Sequence, residues 1–228
     1  FTTADLVAAG TLPADLCALL EAVVAARLGL LVSGGTGSGK TTLLGALLGT
    51  VDPAQRLVLI EDVPELVVAH PHVVRLRTRA ANIEGAGEVG LRDLVRQALR
   101  MRPDRLVVGE FRGPEAVDLL VALNTGHEGG AATVHANSIR DVPSRLAALA
   151  ILGGLPGAAV GALACGALQV LAHLRRTDGG RAVCEVGLVQ VASGGDPVVR
   201  PVWRAGTGYA DGIAELRALI GARGVAPP

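Results

Sequence analysis

Leu28-Gly29-Leu30-Leu31-Val32-Ser33-Gly34-Gly35-Thr36-Gly37-Ser38-Gly39-Lys40-Thr41-Thr42 decides the fold. An apolar run passes directly into a glycine-rich turn ending on lysine and threonine, the pattern G-x-x-x-x-G-K-[ST] from Gly34 to Thr41. Glycines let successive backbone N–H groups turn inward around phosphate oxygens, and the helix that follows adds the positive end of its dipole. The spacing predicts a strand over Leu28–Ser33 and a helix from Lys40 to about Leu48. Gly34, Gly35, Thr36, Gly37, Ser38, Gly39, Lys40, Thr41 and Thr42 are the candidate nucleotide-binding residues, with the Thr41 hydroxyl placed for Mg²⁺. Lys40 is also the only lysine beside twenty arginines. A compact ammonium stands where a reach to the outer phosphates is needed, and arginine's planar fork is bulkier.

Outward from this loop, apolar runs alternate with helical patterns. Leu57–Ile60 and Val73–Leu76 read as strands. Leu91–Arg100 reads as an amphipathic helix, with Leu91, Leu94, Val95, Ala98 and Leu99 on one face and Arg92, Arg96 and Arg100 on the other. Arg105–Gly109 and Ala131–His135 are further strands, with a helix over Pro114–Leu123 between them. The alternation gives an α/β fold, a P-loop domain whose mostly parallel sheet is covered by helices on both faces. Residues 1–27 form a lead-in segment, with one helix capped by Thr2-Thr3-Ala4-Asp5 and a second near Pro13–Ala26. Residues 28–145 form the nucleotide-binding core, and residues 146–192 complete it with a helical turn and a hairpin. In that hairpin Leu168–Arg175 and Arg181–Val191 flank Thr177-Asp178-Gly179-Gly180. Residues 193–228 are a Gly/Pro-rich tail with one helix, Asp211–Ala222, so a small hairpin and helical appendage is expected at the C-terminal side.

Composition excludes several classes. Formal charge is zero and only one Trp, one Tyr and two Phe occur, so neither a global field nor a set of stacking platforms draws the chain to nucleic acid. Cys17, Cys165 and Cys184 are scattered, which fits a reducing, cytoplasmic setting. Leu146 to Leu168 carries no charge, but it is rich in Ala and Gly and interrupted by Gly153-Gly154-Leu155-Pro156-Gly157, so two short buried helices are expected rather than a membrane span. The start at Phe1, without a signal peptide, suggests a piece of a longer protein.

Two acids follow apolar strands. Leu57–Ile60 leads into Glu61-Asp62-Val63-Pro64-Glu65, and Leu106–Gly109 leads into Glu110. In an open parallel sheet such positions gather beside the phosphate loop. Glu110 reads as the acid of the Walker B strand, near Mg²⁺ and its water, and Glu61 as the carboxylate that polarises the attacking water. His135 falls at a strand end on the same edge and reads as a sensor of the γ-phosphate, whereas His127 precedes that strand. Either histidine is alternatively a hydrogen-bonded structural imidazole, and neighbouring ligands for zinc are lacking. Eight arginines lie between residues 75 and 105; most read as surface charge, with Arg77 or Arg79 as candidates for an arginine finger across a subunit boundary.

The set resembles the secretion ATPases of type II and type IV systems, and within them the tight-adherence (Flp) pilus branch, the TadA/CpaF group. The resemblance rests on the loop Gly34–Thr42, the Asp-box Ile60–Leu66, the Walker B segment Arg100–Glu110 and the His-box Thr125–Asn137, in that order. It implies a RecA-like domain working as a ring-shaped homo-hexamer, peripheral to the inner membrane on its cytoplasmic face. ATP, with Mg²⁺, would drive pilus assembly or secretion through inner-membrane platform proteins. It also implies a further domain before the lead-in segment. Ala80-Ala81 depart from the prolines usual there, which leaves the arginine-bearing loop less rigid. On this reading Lys40, Glu61, Glu110 and His135 are catalytic, and Thr41 with Glu110 organises Mg²⁺. The rivals are a conjugation-associated ATPase that moves DNA or nucleoprotein, and a non-hydrolysing assembly subunit clamped by nucleotide.

Overall fold

The computed structural model describes residues 1–228, the side chains of residues 157 and 158 excepted. In chain order the elements begin with α1 (Thr3–Ala8), α2 (Ala14–Ala25), β1 (Leu30–Gly34), α3 (Lys40–Leu48), β2 (Leu57–Glu61) and β3 (Val73–Arg77). They continue with α4 (Leu91–Leu99), β4 (Arg105–Phe111), α5 (Glu115–Asn124), β5 (Ala131–Val134), α6 (Val142–Leu152) and α7 (Gly157–Ala167). The chain closes with β6 (Val170–Thr177), β7 (Gly180–Val191), β8 (Pro197–Arg204), β9 (Gly208–Tyr209) and α8 (Ile213–Ala222).

Side chains alternate along the apolar strands, and each face has its own helices. Leu30 and Val32 of β1 join one core and Leu31 the other; Leu57 and Leu59 of β2 part from Val58 and Ile60 in the same way. The first core is closed by α1, α2, α3 and α8 through residues such as Leu6, Leu20, Leu44 and Ile220. The second is closed by α4, α5, α6 and α7 through Val95, Leu119, Leu146 and Ala164. Each fully buried leucine contributes about 1.5–3 kcal/mol relative to exposure. A polar strand could not occupy these central positions, which is why β1, β2 and β5 are buried along their whole length.

The sheet has nine strands in the order β3-β2-β4-β5-β1-β6-β7-β8-β9. Pairing is parallel from β3 to β6 and antiparallel from β6 to β9. The α/β fold, its mostly parallel sheet and its two helical layers are those expected from the sequence. The hairpin is more deeply built in than its turn signal shows, because β6 pairs in parallel with β1, Gly34 opposite Leu174. Residues 193–228 carry two strands besides the helix, and Val202, Trp203 and Leu216 are buried with the first core. The strand signal of Pro197-Val198-Val199-Arg200-Pro201 is blurred by its two prolines, tolerated because β8 lies towards the end of the sheet.

The uncharged stretch becomes α6 and α7, turning at Gly153–Pro156, and among the described residues no helix is long and apolar enough to cross a membrane. On α4, Arg92 and Arg96 both reach Asp118 of α5, at 2.6 and 3.1 Å, so the spaced arginines bind two helices together.

Candidate nucleotide site

Three parallel strands deliver the site to one edge. With the order β4-β5-β1, the loop after β1, His135 just past β5 and Glu110 near the end of β4 lie side by side. They line a cavity of about 420 Å³ together with Thr36, Thr41, Glu61, Thr133 and Arg181.

The loop is shaped by close approach. A Cβ on Gly34 would lie 2.5 Å from both the Leu174 carbonyl oxygen and Ser38 Oγ, so only glycine admits the turn against β6. Gly39, with φ of 97°, precedes α3 and leaves Lys40 on its first turn. The Lys40 ammonium donates to the Gly35 carbonyl at 3.1 Å and to His135 Nδ1 at 3.4 Å. Its pKa is lowered by burial, against which the Glu110 carboxylate acts.

Glu110 reaches the cavity through a β-bulge. β4 and β5 pair at Val108 with Ala132 and next at Phe111 with Val134, so Gly109 and Glu110 stand against Thr133 alone. The Thr133 hydroxyl donates to the freed Gly109 carbonyl at 2.6 Å. Glu110 Oε1 then lies 2.5 Å from His135 Nε2, and Oε2 accepts from Arg112 Nε at 2.6 Å. The carboxylate raises the Arg112 pKa by hydrogen bond and charge.

Glu61 is almost fully buried and its carboxylate is partly committed. Oε1 accepts from the Glu65 and Leu66 amides at 3.0 and 2.8 Å, and Oε2 faces Arg75 at 3.4 Å. It therefore holds the 62–66 segment against the cavity wall. A Cβ on Gly109 would come within 2.9 Å of Glu61 Cγ, so the glycine in front of Glu110 makes room for this second acid.

The structure thus brings Lys40, Thr41, Glu61, Glu110 and His135 around one cavity with the loop residues Thr36–Thr42, while Gly34 and Gly35 shape the loop behind it. His127 is not among them. It precedes β5, so it sits at the opposite rim, where Nδ1 is 3.3 Å from the Ala122 carbonyl. Arg77 and Arg79 are exposed, and Arg79 donates to the Gly87 carbonyl at 2.7 Å. Sequence reasoning did not single out Arg112, Thr133 or Arg181. Arg112, two residues past the strand acid, had a positional signal; Arg181, far along the chain, had none.

The chain is similar to known proteins in sequence and fold. Residues 1–185 match the family described as Type II/IV secretion system protein. A putative conjugal transfer protein of Mycobacterium tuberculosis (strain H37Rv) is 53% identical over 221 residues, covering 96% of this chain and 62% of the relative. The chain therefore spans about 62% of the length of that curated relative. The crystal structure of the VirB11 ATPase from the Brucella suis type IV secretion system, in complex with sulphate, superposes with a TM-score of 0.69 at 33% identity, over 82% of this chain and 54% of that one. The pilus retraction motor PilT with bound ADP gives a TM-score of 0.55 at 25% identity, over 71% of this chain and 48% of that one. By its matching residues and its fold, the chain belongs to the type II/IV secretion system protein family.

Proposed function

We propose that the chain is the motor core of a secretion-superfamily ATPase that hydrolyses ATP with Mg²⁺. The observation that carries this reading is the convergence of Lys40, His135 and Glu110 at one cavity beside the glycine loop. Loop amides and Lys40 hold the β- and γ-phosphates. The buried Ser38 hydroxyl has no hydrogen-bond partner among the described residues and suits a phosphate oxygen. Thr41 and Glu110 would hold Mg²⁺. No group of three or more His, Cys, Asp or Glu among the described residues could cage an ion alone. That donor set suits Mg²⁺, which is commonly bound by few protein oxygens together with phosphate and water. When bound, the ion neutralises charge developing on the phosphates. His135 reports the γ-phosphate to Glu110. Glu61 orients the attacking water through Oε2, whose one polar partner among the described residues is Arg75, at 3.4 Å.

The finer reading places this motor in Flp-type pilus assembly, as a homo-hexamer at the cytoplasmic face of the inner membrane, against platform proteins. It rests on the resemblance of the four motif blocks. The names of the Mycobacterium tuberculosis and Brucella suis proteins favour a second reading, a conjugation or type IV secretion motor. Zero formal charge and scarce aromatics support indirect handling of nucleic acid in either case.

Phosphate release from ATP tests the enzyme reading. Turnover is expected with Mg²⁺, none with the ion chelated, and a loss of about 100-fold or more in Glu110→Gln. Equal release under all three conditions would overturn it.

A further inference from the structure

Arg181 is the first side chain after the Gly179-Gly180 turn, in the opening residues of β7. Because β6 runs parallel to β1 on the flank opposite β5, the β6–β7 turn ends beside the glycine loop, away from His135 and Glu110. Arg181 Nε donates to the Gly37 carbonyl at 2.8 Å. Its Cδ lies 3.1 Å from where a Cβ on Gly39 would stand. The Gly37–Ser38 peptide is thereby held on both sides, since the Ser38 amide donates to the Gly35 carbonyl at 3.3 Å.

The three cations of the cavity are not equivalent. Lys40 is turned to His135, and Arg112 is bound to Glu110. The Arg181 side chain has no carboxylate partner and no other hydrogen bond among the described residues, so the remaining N–H groups of its guanidinium stay available. A phosphate chain whose terminal group lies among Lys40, His135 and Glu110 must leave the loop on the other flank. There the guanidinium stands, and its fork matches two phosphate oxygens.

We propose that Arg181 is a nucleotide-binding residue supplied by the β6–β7 hairpin of the same chain, meeting the α- and β-phosphates while Lys40 serves the β- and γ-phosphates. This rests on the ATP reading above and adds a second cationic contact to it. It also ties the C-terminal half of the sheet to nucleotide occupancy, because the bound phosphates and the Gly37 carbonyl share one side chain.

Calorimetric titration of the full chain with ADP and with ATP, both with Mg²⁺, tests it. Arg181→Gln is expected to weaken both nucleotides about tenfold and by the same factor, because the α- and β-phosphates are common to them. Arg181→Lys, which keeps the charge, is expected to stay within about threefold of wild type. Wild-type affinity for ADP in Arg181→Gln would overturn the assignment, as would a loss confined to ATP. Lys40→Ala separates the two readings. If it loses ATP while Arg181→Gln does not, only the role of Arg181 fails; if it binds ATP like wild type, the nucleotide site itself is misplaced.

Discussion

His135 joins Lys40 to Glu110 through a single imidazole. Nδ1 lies 3.4 Å from the Lys40 ammonium and Nε2 lies 2.5 Å from the Glu110 carboxylate. With the ammonium donating to Nδ1, the ring proton belongs on Nε2, but it is not aimed at Glu110 Oε1, which has no hydrogen-bond partner among the described residues. The relationship follows from strand order, since β5 separates the strand of the loop from the strand of the acid. The imidazole therefore lies between the ammonium and the carboxylate.

His135→Ala should uncouple binding from chemistry. ATP affinity is expected to stay within about threefold of wild type, while single-turnover hydrolysis falls by about 10- to 100-fold. A large rise in Kd with unchanged turnover would show a binding role instead.

Lys40 gives the site a pH dependence whose sign is fixed. Burial lowers its folded-state pKa, so the ammonium costs stability at neutral pH, and that cost fades as pH rises through the folded value. Phosphate binding works the other way, because it needs the charge. Nucleotide affinity is expected to fall with rising pH earlier than an exposed lysine would allow. Proton uptake on binding should appear in calorimetry in buffers of different ionisation enthalpy. Titrations that stay flat up to the ordinary lysine range would contradict this.

Trp203 tests how far the C-terminal residues belong to the core. It is the only tryptophan, buried on β8 with Val202, Leu216 and Ile220 in the same cluster. Trp203→Ala is expected to cost about 3–5 kcal/mol in denaturant unfolding. A cost under about 1 kcal/mol would mean that β8 and α8 are loosely attached.

Legibility differed from one part of the chain to another for physical reasons. Strands such as Leu57–Ile60 announced themselves because they are buried on both faces and lack polar interruptions. The glycine loop was legible because its backbone needs residues that few other sites need. The bulge at Gly109 and Glu110 was not, since a one-residue slip depends on the partner strand and leaves no local pattern. Glu61 was found as an acid at a strand end, but its commitment to the Glu65 and Leu66 amides depends on how the following segment folds back. Arg181 lies 141 positions beyond Lys40, and only the parallel pairing of β6 with β1 brings them to one cavity.

The most direct measurement is the affinity of Lys40→Ala for ATP with Mg²⁺, set beside the wild-type chain. Removing the one ammonium that reaches into the phosphate loop should raise Kd about a hundredfold or more and abolish turnover. An unchanged Kd together with undiminished phosphate release would contradict the account.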